Sequence, residues 1–302
     1  MVNFGHNAAK QLFAKQEGRR HEVIKTLCAT KACLTWFAEE VYRVCRERCG
    51  GQSYLSANVG HAVLGAHSGM TAEGDNRVLM QKVVKDILTH TRSGKHKVPK
   101  VKGKLVREMA KLDDVCNAVC LKNLIYLKEQ VETKEMMQQL QDLVINQKKP
   151  FFDVWTTLVN DEIQSLAQAF GERFFLHSAF TAMNDDCSHA GAQRILEKVI
   201  FLHMLDLMER NLDWYLLRNL ITTKAAQGIV AAKVRAVKDL MPHLNDCVES
   251  LGSLRIPSLQ PVMMRDFVSF NAQRDYENFD AAGATFDFTA GATPQKQYRP
   301  RL

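Results

Sequence analysis

The chain has 302 residues, 46% hydrophobic and 24% charged, with 40 Lys+Arg against 33 Asp+Glu for a net charge of +7. That is long enough to bury one or two cores and ordinary for a globular protein. Charged residues interrupt every apolar run, which excludes a membrane-spanning helix, and no secretory h-region opens the sequence.

In chain order, Met1 to Arg20 is basic and weakly amphipathic, and reads as a helical lead-in, with a transit peptide as the alternative. A helix is expected from His21 to Arg48, ended by Gly50 in the left-handed position. Gly51, Gln52 and Ser53 continue the turn. A glycine pair also lets the backbone come close to a phosphate. The box Glu73-Gly74-Asp75-Asn76 then opens another helix, with Asp75 or Asn76 as its N-cap. Glu73 has two readings. It is either an exposed residue just ahead of a cap, or a carboxylate held at a helix mouth and able to take a proton. His61 and His67 lie between the two turns and read as surface or packing residues.

Arg92, Lys95, Lys97, Lys100, Lys102, Lys104 and Arg107 form a run without acids, which equals the whole charge excess. With Ser93, Gly94, Pro99 and Gly103 it reads as a solvated linker. The alternatives are a nucleic-acid or membrane contact, disfavoured because no aromatic is interleaved, or attraction of anionic phosphates. From Lys104 to about Gln147 the steps Leu105, Met109, Leu112, Cys116, Val119 predict one long helix, stopped by Pro150. Phe151 to Ala182 predicts a second, with a break at Gly171. Asn184-Asp185-Asp186 supplies cap chemistry for a third, Ala190 to Asn211, with Leu196, Ile200, His203 and Leu207 on one stripe. Asp213 is the expected cap of a short helix. Lys224 to Leu251 follows, kinked at Pro242 and stopped by Gly252. Ser258 to Tyr276 is the last helix, and the tail after Phe279 is rich in Gly, Ala and Thr.

No strand-like alternation and no repeat occurs, so the chain reads as all-α, built of helical bundles. Eight cysteines include none in C-x-x-C. Cys45/Cys49 and Cys116/Cys120 are spaced to share a helix face, no metal set is visible, and the thiols read as reduced. Trp36, Trp155 and Trp214 read as core aromatics. No Walker loop, G-x-G-x-x-G, H-E-x-x-H or G-x-S-x-G is present.

Several of these stretches together resemble the acyl-CoA oxidase family: Lys31-Ala32-Cys33-Leu34-Thr35-Trp36, Cys45-Arg46-Glu47 leading into Cys49-Gly50-Gly51, the Glu73-Gly74-Asp75-Asn76 box, and Ile256-Pro257 with Arg265-Asp266-Phe267-Val268. The resemblance implies the family's C-terminal helical domains. Residues 1–92 would be the rear of the first, 93–103 a basic linker, 104–281 the second, and 282–302 a tail. The family's N-terminal helical domain and β-barrel have no counterpart in this sequence. The stripe around Leu27, Leu34 and Phe37 is therefore expected to face water. The resemblance also implies a peroxisomal FAD enzyme that converts acyl-CoA and oxygen to trans-2-enoyl-CoA and hydrogen peroxide, as a homodimer. Glu73 would be the catalytic base. Gly50, Gly51, Gln52, Gly74 and Asp75 would contact the cofactor. No metal, nucleic acid or membrane insertion is implied. The alternatives are an acyl-CoA dehydrogenase that passes electrons to another flavoprotein, and a non-catalytic interaction module built on the same fold. Two positions depart from the family pattern: Ser53 replaces a glycine, and Ala72 replaces an aromatic. Arg301-Leu302 matches the end of the peroxisomal S-K-L address, with Pro300 at its first place.

Overall fold

The computed structural model describes residues 20–54, 59–94, 101–185 and 187–250. Helix α1 spans Arg20–Arg48, free of internal Gly and Pro. Its Thr26 and Thr35 hydroxyls donate back to the carbonyls of Glu22 (2.8 Å) and Lys31 (2.9 Å), so these β-branched residues sit in it without orphaned polar atoms. Gly50 ends it at φ 57°, as its sequence predicts. A 3-10 turn follows over Gly50–Tyr54, then α2 (Val59–Thr71) and α3 (Asn76–Arg92). The cap of α3 is Asp75, whose side chain accepts from the backbone N–H of Arg77 and Val78.

The single helix expected from Lys104 to Gln147 is two. Helix α4 covers Gly103–Met109, and α5 covers Ala118–Leu140 before a π-helical turn at Gln141–Asn146. Local side-chain bonds make the break: Asp114 Oδ1 accepts from Cys116 N at 2.8 Å, and Asn117 Oδ1 accepts from Cys120 N at 2.9 Å. Cys116 thus precedes α5 and shares no helix face with Cys120. The next helix is also subdivided: one turn at Phe151–Asp153, a π-helical turn at Val154–Leu158, then α6 (Asn160–Asp185). No break falls at Gly171. That residue is buried where α6 meets α1, and a Cβ there would lie 2.6 Å from Cys33 Sγ.

Helix α7 spans Ala190–Arg210 and is capped by the ring of His189 rather than by Asn184–Asp186. On its expected stripe Ile200 and Leu207 are buried, whereas Leu196 is half-exposed. In α8 (Leu212–Leu217) the N-cap position is Asn211, and Asp213 falls in the first turn. Helix α9 (Thr223–Leu240) carries a Thr222 cap. Pro242 interrupts the run as expected, in a 3-10 turn at Met241–His243 before α10 (Leu244–Ser250). Gly252, the predicted helix Ser258–Tyr276, the Ile256-Pro257 and Arg265–Val268 stretches, the tail and Lys95, Lys97 and Lys100 lie outside the described residues.

No strand occurs among the described residues, and the fold is all-α. Two apolar clusters fill it. One joins Ala32, Met80, Val83, Ile87, Met136, Ile163, Leu166 and Phe170. The other joins Leu121, Leu124, Leu176, Met204, Met208, Tyr215 and Ile229. Helices α5 and α6 supply residues to both. Between the clusters lies a buried ion pair, Arg173 Nε to Glu129 Oε2, with the Lys25 ammonium 4.9 Å from the Phe170 ring centroid. Such a pair fixes the relative placement of the helices, because breaking it strands a buried charge. Burial also pushes the Lys25 pKa down.

Candidate active site

The approach from α2 to α3 is made by a sharp reversal at Glu73 and Gly74, both at positive φ (60° and 105°). A non-glycine residue at φ 60° is uncommon, and surrounding contacts must hold it there. Lys31 of α1 does this. Its Nζ donates to Gly74 O (2.6 Å), Met70 O (3.2 Å) and Asn76 Oδ1 (2.8 Å). Asn76 is buried and donates in turn to Thr35 Oγ1 at 2.9 Å. The carbonyl oxygens at the end of α2 and at the turn are thereby satisfied by one ammonium. Glu73 itself is exposed, one step outside the cap made by Asp75. Gly74 is also exposed, and its missing Cβ would sit 3.4 Å from Leu79 Cδ2.

The second element is the turn Gly50–Tyr54. Gly50 and Gly51 are exposed, and a Cβ on either would meet nothing within 4 Å. Their backbone is open to an incoming group. Arg46 and Arg48 in the last turn of α1 bring positive charge to it. Ser53 is buried and donates from Oγ to Gly50 O at 2.7 Å. The departure from glycine at this position therefore closes the turn with a side-chain bond. The Gln52 side chain lies outside the described residues, as does that of His61. His67 is exposed and 3.6 Å from Glu39, a surface pairing. Among the described residues no group of His, Cys, Asp and Glu is arranged to hold a metal.

Two family models match this chain: the acyl-CoA oxidase C-alpha1 domain over residues 2–88, and acyl-CoA oxidase over residues 123–250. The chain belongs to the acyl-CoA oxidase family. Acyl-coenzyme A oxidase 3, peroxisomal, of Arabidopsis thaliana is 32% identical over 104 residues, which are 34% of this chain and 15% of that protein. Solved structures share the fold at low identity. Acyl-CoA oxidase-2 of Caenorhabditis elegans, bound with FAD, ascaroside-CoA and ATP, matches with a TM-score of 0.75 at 13% identity, over 92% of this chain and 43% of that one. The tomato oxidase LeACX1 matches at 0.72 and 15%, over 93% of this chain and 45% of that one. The chain thus spans less than half the length of these oxidases.

Sequence reasoning placed the two turns and narrowed the cap to Asp75 or Asn76, but missed Lys31, Thr35 and Asn76 as the frame that holds them. The lysine lies within the stretch that carries the family resemblance. Nothing local marks its partners, which lie 43 and 45 residues away.

A second concave feature lies across α1 from this turn. A cavity of about 760 Å³ is bounded by α1, α6 and α7, and lined among others by Cys33, Trp36, Phe37 and Glu40. At 100° per residue these fall on the face of α1 roughly opposite Lys31 and Thr35. Burial pushes the Cys33 thiol up to about 12. It pushes the Glu172 carboxyl up and the His203 imidazolium down.

Proposed function

We propose that the chain provides the base-bearing part of a FAD-dependent, peroxisomal acyl-CoA oxidase, acting on acyl-CoA and oxygen to give trans-2-enoyl-CoA and hydrogen peroxide. The observation that carries this reading is Glu73, held at positive φ by the Lys31 clamp and presented to solvent. The peroxisomal relatives and the FAD-bound structural neighbours support it.

Desaturation between the α and β carbons needs a base for the α-proton and polarisation of the thioester oxygen as the enolate develops. Glu73 would accept the proton at its carboxylate, and its backbone N–H would donate to the thioester oxygen. Closure over this surface would withdraw Glu73 from water. Gly50, Gly51 and Gln52 would hold the dinucleotide along the open backbone, with Gly74 and Asp75 at its other edge. The residues present fit such a group, since the glycine turn is open to close approach. FAD, when bound, supplies the acceptor for the β-hydride. The site is expected to be completed in a homodimer. Residues 1–92, 93–103, 104–281 and 282–302 would serve as first helical domain, linker, second helical domain and tail.

The test is Glu73→Gln in an enzyme complemented with the family's N-terminal domains. Removing the base while keeping the shape should reduce turnover by at least about 10³-fold, with FAD still bound. Near-normal α-proton exchange with solvent in the mutant would overturn the assignment. Peroxide release by the unmutated enzyme separates an oxidase from a dehydrogenase.

A further inference from the structure

The cavity between α1, α6 and α7 has a composition that the desaturation chemistry does not use. Its volume, about 760 Å³, is within the range that encloses a small organic ligand. Trp36, Phe37, Phe174 and Phe175 contribute aromatic wall. Three acids line it, and two of them are spoken for. Arg210 bonds Glu40 Oε2 through Nη1 at 2.9 Å and pairs with Asp206 Oδ2 through Nε at 2.9 Å. Asp206 is also held by Lys233 at 2.6 Å.

Glu172 is different. It is half-buried, accepts one amide bond from Gln168 Nε2 at 3.1 Å, and has no ion pair among the described residues. Lys128 and Arg210 act on it only at longer range. The Lys128 ammonium is committed to Asn211 Oδ1 at 2.6 Å. Desolvation disfavours the Glu172 carboxylate, so a cation brought next to it recovers the lost stabilisation. His203, also in the lining, is kept neutral by burial and adds no competing charge. Aromatic faces attract cations as well, and do so more strongly out of water.

We propose that this cavity is a binding site for an amphipathic amine, with the ammonium at Glu172 and the apolar body against Trp36, Phe37 and Phe175. A neutral alcohol of the same length can offer Glu172 only an uncharged donor, and an anionic ligand repels its carboxylate. The site lies on the opposite face of α1 from Glu73, so it stands independently of the oxidase reading.

Isothermal titration calorimetry of the full chain at neutral pH with octylammonium, octanol and octanoate tests this. Octylammonium should bind at least about tenfold more tightly than octanol, the equivalent of roughly 1.4 kcal/mol, and octanoate most weakly. Glu172→Gln should remove that advantage while leaving octanol binding within about threefold. Val199→Trp, placed in the lining, should block all three. Octylammonium binding no tighter than octanol on the unmodified chain would overturn the proposal. So would an unchanged ratio in a Glu172→Gln chain with native helical circular dichroism. If that variant does not fold, the selectivity of the unmodified chain decides alone.

Discussion

The Lys31 ammonium satisfies three oxygens at once, and two of them belong to the strained segment around Glu73. A charge-assisted bond of this kind contributes about 1.5–3 kcal/mol where a buried acceptor would otherwise be orphaned. Partial exposure lowers the figure here. Lys31→Met should therefore lower the melting temperature by only about 2–5 °C. The local effect should be larger: amide hydrogen exchange at Glu73 to Asn76 should accelerate more than in the middle of α3. Uniform acceleration would mean that the lysine supports the bundle generally rather than this turn. Cys33 gives a second test at this scale. Burial pushes its folded thiol up to about 12 from an ordinary value of 9.0. A raised folded value means that this contribution to stability is complete below about pH 9 and is lost as pH climbs toward 12. Denaturant midpoints measured between pH 8 and 11 should fall less steeply in Cys33→Ala than in the unmodified chain. Identical slopes would place the alkaline loss elsewhere.

At the scale of elements, the caps decide what the sequence discloses. Gly50, Asp75 and Pro242 act through their own backbone and the next turn, so their effects are readable from neighbours in the chain. The long run after Lys104 is not. Its apolar steps keep helical spacing through the region where the helix stops, yet Leu112 is 41% and Val119 64% exposed. Asp114 and Asn117 outcompete that periodicity by taking the backbone N–H groups of Cys116 and Cys120. Asn117→Ala should cost about 1 kcal/mol through loss of the α5 cap, read as a shift in urea midpoint with unchanged slope. Gly171 departs from its local signal for a related reason. Glycine in a helical pattern signals a break locally, but here it makes room for Cys33 on a helix far off in sequence. Gly171→Ala should destabilise by about 1–3 kcal/mol from overpacking, whereas a helix-propensity argument alone predicts stabilisation of roughly 1 kcal/mol. Equilibrium denaturation therefore distinguishes the two by sign.

For the whole molecule, the all-α class and the family were legible, because two short turns at characteristic separation carry the resemblance. The amine-selective cavity was not, since its walls come from three helices that only the fold brings together. Of the stripe expected to face water, Leu27 and Leu34 are half-buried and Phe37 is 45% exposed; Val41 and Val44, at further steps of four and three on the face of α1 that continues past the cavity, are 39% and 38% exposed. An apolar stripe of this kind drives association. Sedimentation should show concentration-dependent self-association that Val41→Asp weakens. A non-associating monomer at high concentration would show that the stripe is tolerated in water. The openness of the Gly50–Gly51 turn has a parallel outcome: the chain purified alone should carry FAD at well below one equivalent, read from its visible absorbance.

Helices α5 and α6 thread both apolar clusters, with the Arg173–Glu129 pair set between them. Neither cluster can melt while the other keeps its helices intact, because each would have to tear its share from a common beam. Heat should therefore take the molecule apart in one calorimetric transition, with van't Hoff and calorimetric enthalpies in agreement. The same coupling means that damage in one cluster spreads to the other. A cavity cut at Leu205 should loosen exchange-protected amides around Ile163 as well as those beside it. What reads along the sequence as two successive units would then behave, thermodynamically, as one indivisible object.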